Sequence, residues 1–375
     1  MKRFAKFTSV CLALTMTVGL GTAVVSADAP EKDTTLIAAS GFNDGHHYFI
    51  GSVDPVMNKI EEETSVTFQK FLSGELVGHA AEYDALTEGI CDFAMSFCAS
   101  YDSSRFVLSD VYTLPGFDAT LEQIDTAWIN LLDSEETTID GVTFNEYEYG
   151  SKGLIVFPNH MTDTYHIISC DADISSIDAY NTATVMRTPT RMTSILAEDL
   201  GFSTVTMTIS DAYDAMSRGA VNGMLMCADW KQYGLDTLYK YIITGVNLGN
   251  APTMMMMLKD KYDELPDDAK DILVNYSREC TVTSGVQAVE DNNAINWESA
   301  EENGVTVIEF SDLPQEVQDH ITEASAQVWF DWIDDTAANG YPAKEAAILW
   351  RDCLIEQGVT FPDELMDLEN YEPNA

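Results

Sequence analysis

The chain has 375 residues and carries 62 Asp and Glu against 19 Lys and Arg, a formal net charge of −43. A surface of that sign repels phosphate backbones and acidic lipid, which excludes nucleic acid and anionic membrane surfaces as partners. It also makes any arginine inside a pocket informative.

The N-terminus begins with Lys2, Arg3 and Lys6, followed by an apolar run from Val10 to Leu20 broken only by Thr15, Thr17 and Gly19. Val25-Ser26-Ala27 then supplies small residues of the kind a signal peptidase reads, so residues 1–27 are read as a signal peptide and the protein as exported. No later segment has the ~20 apolar residues of a spanning helix, and the remainder is expected to be soluble. Beyond the signal lie Cys91, Cys98, Cys170, Cys227, Cys280 and Cys353. None is in Cys-x-x-Cys spacing, and their apolar surroundings favour buried thiols over a disulfide set.

After the signal, strand-like and helix-like segments alternate, the mark of an α/β protein. Residues 34–39 predict a first strand. A helix follows from Asp54, with Val53, Val56, Met57 and Ile60 on one face. Strands at 66–71 and 93–98 flank a helix over 80–89, and Leu121, Ile124, Trp128 and Leu131 mark a helix ending near Ser134. The polar stretch 135–151 is expected to be an exposed excursion. Strands follow at 154–158, 165–169 and 184–187. Thr190 is placed to cap a helix over 191–200 that Gly201 closes. A strand at 204–208 leads to a helix capped by Ser210 and ended by Gly219, then to a buried strand over 221–226. Met254 to Leu258 reads as another buried strand, and Pro266 and Pro314 each open a helix, where the missing N–H costs nothing.

Signals for bond-breaking chemistry are weak. The chain lacks His-Glu-x-x-His, Gly-x-Ser-x-Gly, a phosphate-cradling Gly-x-x-x-x-Gly-Lys and Gly-x-Gly-x-x-Gly. The histidines are scattered without metal-ligand helix spacing, and pairs such as Asp267-Asp268 and Asp334-Asp335 read as solvated helix faces. The expectation is a protein that is not an enzyme, with no metal and no cofactor.

One block stands out. Met186-Arg187-Thr188-Pro189 is followed by Gly201, then by Met207-Thr208-Ile209-Ser210-Asp211-Ala212-Tyr213 and Arg218-Gly219-Ala220-Val221-Asn222-Gly223. This order resembles the central signature of the DctP-type substrate-binding proteins of TRAP (tripartite ATP-independent periplasmic) transporters. Gly45-His46-His47-Tyr48, Ser73-Gly74-Glu75-Leu76-Val77-Gly78, Gly89-Ile90-Cys91-Asp92-Phe93-Ala94, Leu114-Pro115-Gly116-Phe117 and Glu264-Leu265-Pro266 resemble further pieces of that family in order and spacing. The resemblance runs from about Leu36 to Gln357.

It implies a type II periplasmic-binding fold, two α/β lobes joined by crossing strands with a ligand cleft between them. Lobe I is expected to take residues 34–155 plus about 248–290, and lobe II about 156–247 plus 291–375. It also implies a periplasmic, monomeric protein that delivers a small organic acid anion to TRAP membrane subunits. The family's carboxylate-binding arginine corresponds to Arg187, whose guanidinium fork can hold both oxygens of a carboxylate as lysine cannot. Arg191, in the first turn of the next helix, is read as solvent-exposed or structural.

The sequence departs from the family pattern where the ligand is chosen. Tyr165 and His166 occupy the neighbourhood of a second arginine of the sialic-acid branch, Met226 stands where a polar Asn is frequent, and Phe97 where a polar residue is common. With Trp230 and Ile209 these predict an apolar pocket around one cationic anchor, suited to a monocarboxylate or short sulfonate with an apolar or aromatic body and not to a sialic acid. His47 and His79, in turns after the first two strands, complete the candidate ligand contacts. The competing reading is an exported lyase or isomerase on the same fold, with His166 or Asp229 as its base.

Overall fold

The computed structural model describes residues 31–374, so the expected signal peptide lies outside the described residues. Its strands are β1 (Thr34–Ala39), β2 (Val66–Phe71), β3 (Phe93–Phe97), β4 (Leu154–Met161), β5 (His166–Ser169), β6 (Val185–Thr188), β7 (Ser203–Thr206), β8 (Gly223–Met226), β9 (Tyr241–Thr244), β10 (Pro252–Leu258) and β11 (Thr306–Glu309). They form two sheets, one ordered β2-β1-β3-β10-β4 and the other β11-β9-β5-β8-β6-β7. The helices before β10 are α1 (Asp54–Glu63), α2 (Glu82–Thr87), α3 (Leu121–Asp133), α4 (Phe144–Glu148), α5 (Arg191–Asp199) and α6 (Ile209–Ser217). After it come α7 (Lys259–Asp263), α8 (Asp267–Asp271), α9 (Ser277–Cys280), α10 (Val286–Glu302), α11 (Gln315–Ala338) and α12 (Ala343–Glu356).

Local chemistry accounts for most of these bounds. In the first sheet β1 runs parallel to β2 and β3, while β10 enters antiparallel between β3 and β4. Met254, Met255, Met256 and Met257 are all fully buried, as a strand covered on both faces requires. Thr120 and Gln123 form a capping box at α3, each side chain bonding the other's backbone N–H, which satisfies two donors the helix start leaves unpaired. Thr190 caps α5 in the same way with Thr193, and Gly201 then takes a φ of 91° that other residues rarely adopt.

The chain passes from the first sheet to the second between β4 and β5, and returns between β9 and β10. The two crossings run side by side: Thr162 N–H donates to Ala251 O at 3.1 Å and Tyr165 N–H to Gly249 O at 2.9 Å. Each sheet with its helices is one lobe, and short paired crossings of this kind are where a hinge can bend.

Several expectations are corrected. β4 stays in the first sheet through Met161, past the boundary expected at 155, because its pairing with β10 continues to Pro252. Residues 291–375 are not confined to the second lobe. Helix α11 packs on α5, but α12 packs on α3, and the Trp329 indole donates to Pro115 O at 2.7 Å. The stretch 135–151 is no exposed excursion: Thr143 caps α4, and Ile139, Phe144 and Tyr149 are fully buried. Those apolar residues are too few and irregular to announce themselves among acids. Thr208, not Ser210, precedes α6, and Pro266 and Pro314 sit one residue before their helices. All six cysteines of residues 31–374 are free thiols, and no helix there is long and apolar enough to cross a membrane.

Candidate functional site

A cavity of about 60 Å³ lies between the two sheets, beside the crossing strands. The first lobe contributes Phe42, His46, His47 and Tyr48 from the β1–α1 turn, and Cys98 and Tyr101 from the end of β3. The crossings contribute Thr162, Tyr165, Ala251 and Thr253. From the second lobe come Arg187 near the end of β6 and Pro189 just after it, Ile209 at the start of α6, Met226 at the end of β8, and Cys227, Asp229 and Tyr233 after it. This is the crevice at the ends of strands where open α/β folds place ligands.

Arg187 is the one guanidinium of the wall and only 2% exposed. β6 fixes it, paired parallel with Val205 on β7 and Met224 on β8. Its Nε donates to Met207 O at 3.1 Å, which holds the plane of the group, while Nη2 is buried with no hydrogen-bond partner. Burial lowers its pKa, and the groups that act against this are Tyr101, Tyr165, Cys227 and Tyr233. None is a carboxylate. Arginine does not give up its proton in proteins, so this is a buried cation with no salt-bridge partner among the described residues.

The opposite wall is neutral. Burial drives both His46 and His47 down to about 3, so each is an uncharged imidazole. His47 Nδ1 lies 3.0 Å from His160 Nε2, and His160 Nδ1 lies 2.7 Å from Ser52 Oγ. Burial likewise raises Tyr48, Tyr101, Tyr165 and Tyr233, so all four remain phenols. The Tyr48 hydroxyl is used by the fold, donating to Ala251 O at 2.5 Å. Asp229 is the acid of the cavity. Burial pushes it up to about 6 against the pull of His47 and of hydrogen bonds from Gln232 and Asn292. His46, His47 and Asp229 each present a donor atom within 4.8 Å of the others, the one such three-residue set among the described residues.

Of the residues singled out in the sequence, Arg187, Tyr165, Met226, Ile209 and His47 meet at this cavity. The other four do not. Phe97 points into the first lobe's core, its ring 4.8 Å from that of Phe106. Trp230 is fully buried, with its indole donating to Asn296 O at 2.9 Å. His166 packs between Trp230 and Trp297, 3.6 Å from Asp163. His79 stands behind the wall, its ring 4.3 Å from that of Phe42. Arg191 pairs with Asp335 at 3.2 Å on α11. Sequence reasoning missed Phe42, Tyr101 and Tyr233 and set His46 aside; Tyr101 and Tyr233 carry no local signal. A larger groove of about 570 Å³ runs past His166, but its charged residues are Asp118, Asp163 and Glu309, a poor lining for an anion.

Residues 51–335 match the family described as bacterial extracellular solute-binding protein, family 7 (DctP). The chain belongs to this family. Among solved structures it is similar to a TRAP solute-binding protein from Rhodoferax ferrireducens T118 in complex with copurified benzoate. The two share 19% identity at a TM-score of 0.74, over 86% of this chain and 98% of that one. A marine metagenome TRAP solute-binding protein specific for aromatic acid ligands, with 3-hydroxybenzoate, is 21% identical with a TM-score of 0.73, over 87% and 99% of the two chains. A TRAP periplasmic solute-binding protein from Bordetella bronchiseptica with bound mandelate is 16% identical with a TM-score of 0.71, over 86% and 99%. At these identities the likeness establishes the shared two-lobed fold. Among curated proteins none matches the chain in sequence. The DctP match begins at residue 51, so Phe42, His46, His47 and Tyr48 lie outside the matched segment.

Proposed function

We propose that this DctP-family protein captures a small aromatic or otherwise apolar monocarboxylate outside the cytoplasm and hands it to the membrane subunits of a TRAP transporter. The observation that carries this reading is the unpaired guanidinium of Arg187 in a chamber walled by Phe42, Tyr48, Tyr101, Tyr165 and Tyr233. A buried cation that cannot neutralise itself is stabilised by an anion. A carboxylate accepts two parallel hydrogen bonds from the fork and fixes the body of the solute against the rings. Aromatic rings prefer offset or edge-to-face contact, and each such pair adds about 0.5–1.5 kcal/mol. The chamber's about 60 Å³ compares with the ~10–15 Å³ one water needs, which favours a compact acid over a sugar acid. The similar proteins crystallised with benzoate and 3-hydroxybenzoate agree in ligand class. Contacts from both walls exist only when the lobes close, so binding favours the closed form that the membrane subunits receive.

The test is calorimetric titration and thermal shift with benzoate, 3-hydroxybenzoate, a short aliphatic acid and sialic acid. Benzoate-type acids are expected to bind and sialic acid not to. Arg187→Ala is expected to cost about 2–5 kcal/mol, a loss of at least tenfold in benzoate affinity. A response to sialic acid alone, or unchanged affinity in Arg187→Ala, would sink the proposal.

A further inference from the structure

We propose that His46, His47 and Asp229 form a site for a divalent transition-metal ion inside the solute cleft, the ion bridging the two lobes and offering a free coordination position to the solute. The metal half stands on the geometry of these three residues. The solute half rests on the carboxylate reading above.

The donor set is two imidazoles and a carboxylate, all buried, with His46 and His47 on the first lobe and Asp229 on the second. His46 Nε2 and Asp229 Oδ2 are 3.4 Å apart. That is long for a charge-assisted hydrogen bond, which closes to about 2.7–2.9 Å. It matches one edge of a coordination tetrahedron, since bonds of about 2.0–2.1 Å to zinc put neighbouring ligand atoms roughly 3.3–3.4 Å apart, and the His47 donor atom lies within 4.8 Å of both.

The surroundings fit as well. A ligating histidine ordinarily donates its other ring N–H to a partner that sets its tautomer. His47 has that partner in His160, which Ser52 holds in turn, so a proton on His47 Nδ1 leaves the Nε2 lone pair for an ion. Gln232 donates to Asp229 Oδ1 and leaves Oδ2, the atom beside His46, for the metal. His46 gives up one contact, since its Nδ1 now lies 3.3 Å from the Tyr48 N–H and would carry the proton in the metal-bound tautomer.

Nitrogen donors with one carboxylate suit zinc, nickel, copper or iron and not magnesium or calcium. Three protein ligands leave a fourth position open, as in sites where zinc meets a small molecule. Arg187 lines the same chamber. The solute class this implies is a carboxylate with a second donor atom, the acid held by Arg187 and the other group by the ion.

The experiment uses the full mature chain, stripped with a chelator and dialysed. Co²⁺ is titrated while its visible d–d absorption is followed, and Zn²⁺ is then added as competitor. One ion per chain is expected, with a tetrahedral spectrum and a rise in melting temperature. His47→Ala and Asp229→Asn are expected to weaken Co²⁺ at least about tenfold. The surface change Arg218→Ala should leave it unaltered. Absence of saturable Co²⁺ binding by the unsubstituted protein overturns the proposal without any variant having to fold. Wild-type Co²⁺ affinity in His47→Ala and Asp229→Asn overturns it too. Parallel titration with benzoate separates the two readings: Co²⁺ binding without benzoate binding retires the carboxylate proposal and keeps the ion site, and the reverse result does the opposite.

Discussion

Glu82 and Asp125 of the first lobe and Arg187 of the second are buried ionisable groups of opposite sign, and the difference in how each copes explains why one of them points to a ligand. The first lobe buries carboxyls. Glu82 and Asp125 are both fully enclosed, and burial raises both far enough that they keep their protons. The fold satisfies one oxygen of each and leaves the other, Glu82 Oε2 and Asp125 Oδ2, without a partner. Glu82 Oε1 accepts from Gly41 N–H at 3.2 Å, and Asp125 Oδ1 accepts from Met161 N–H at 2.7 Å. The second lobe buries Arg187, and a guanidinium has no neutral form to retreat to. A buried acid can shed its charge, whereas a buried arginine must find an anion. An orphaned carboxyl oxygen is therefore weak evidence for a site, and an orphaned guanidinium nitrogen is strong.

The contrast can be tested where its consequences are largest. Phe97 belongs by this account to the first lobe's core and not to the ligand. Phe97→Ala is expected to cost about 3–5 kcal/mol of stability in denaturant unfolding. The folded fraction should still bind benzoate within about twofold of the wild type, and a selective loss of affinity would return Phe97 to the cavity wall.

Glu82 tests the shedding of charge. Its pKa is about 8 in the folded protein against an ordinary 4.5. Below 4.5 both states hold the proton. Between 4.5 and 8 the unfolded chain releases it and the folded chain does not, so stability falls as pH rises through that window. Glu82→Gln removes the ionisation, and is expected to be more stable than the wild type by roughly 2–4 kcal/mol at pH 8, the gap closing by pH 4.5. A gap independent of pH would mean that Glu82 is already ionised in the folded protein.

The smallest effect concerns the neutral wall. Tyr101→Leu should weaken benzoate by about 0.5–1.5 kcal/mol while leaving a short aliphatic acid nearly unaffected. Equal losses for both acids would assign Tyr101 to the carboxylate end.

Much of the scaffold was legible in the chain. β1 and β2 run over the residues their patterns predict, α5 begins at its Thr190 cap, and the arginine sits at the close of β6. These features follow from local causes: side-chain alternation, hydrogen-bonding caps and turn glycines. The composition of the cavity was legible only in part, and strand parity is the reason. Successive side chains on a strand face opposite ways, so an error of one residue exchanges wall for core. At the end of β3 the cavity takes Cys98 where the sequence favoured Phe97, and at the start of β5 it takes Tyr165 and turns His166 away toward Trp297.

The sequence by itself determined an alternating α/β chain with a lone arginine at a strand end, because those properties are written in runs of a few residues. Only the tertiary structure decided what surrounds that arginine. Phe42, His46, Tyr101, Asp229 and Tyr233 come from distant segments on two lobes, and their meeting depends on how the crossings between the sheets bring those lobes together.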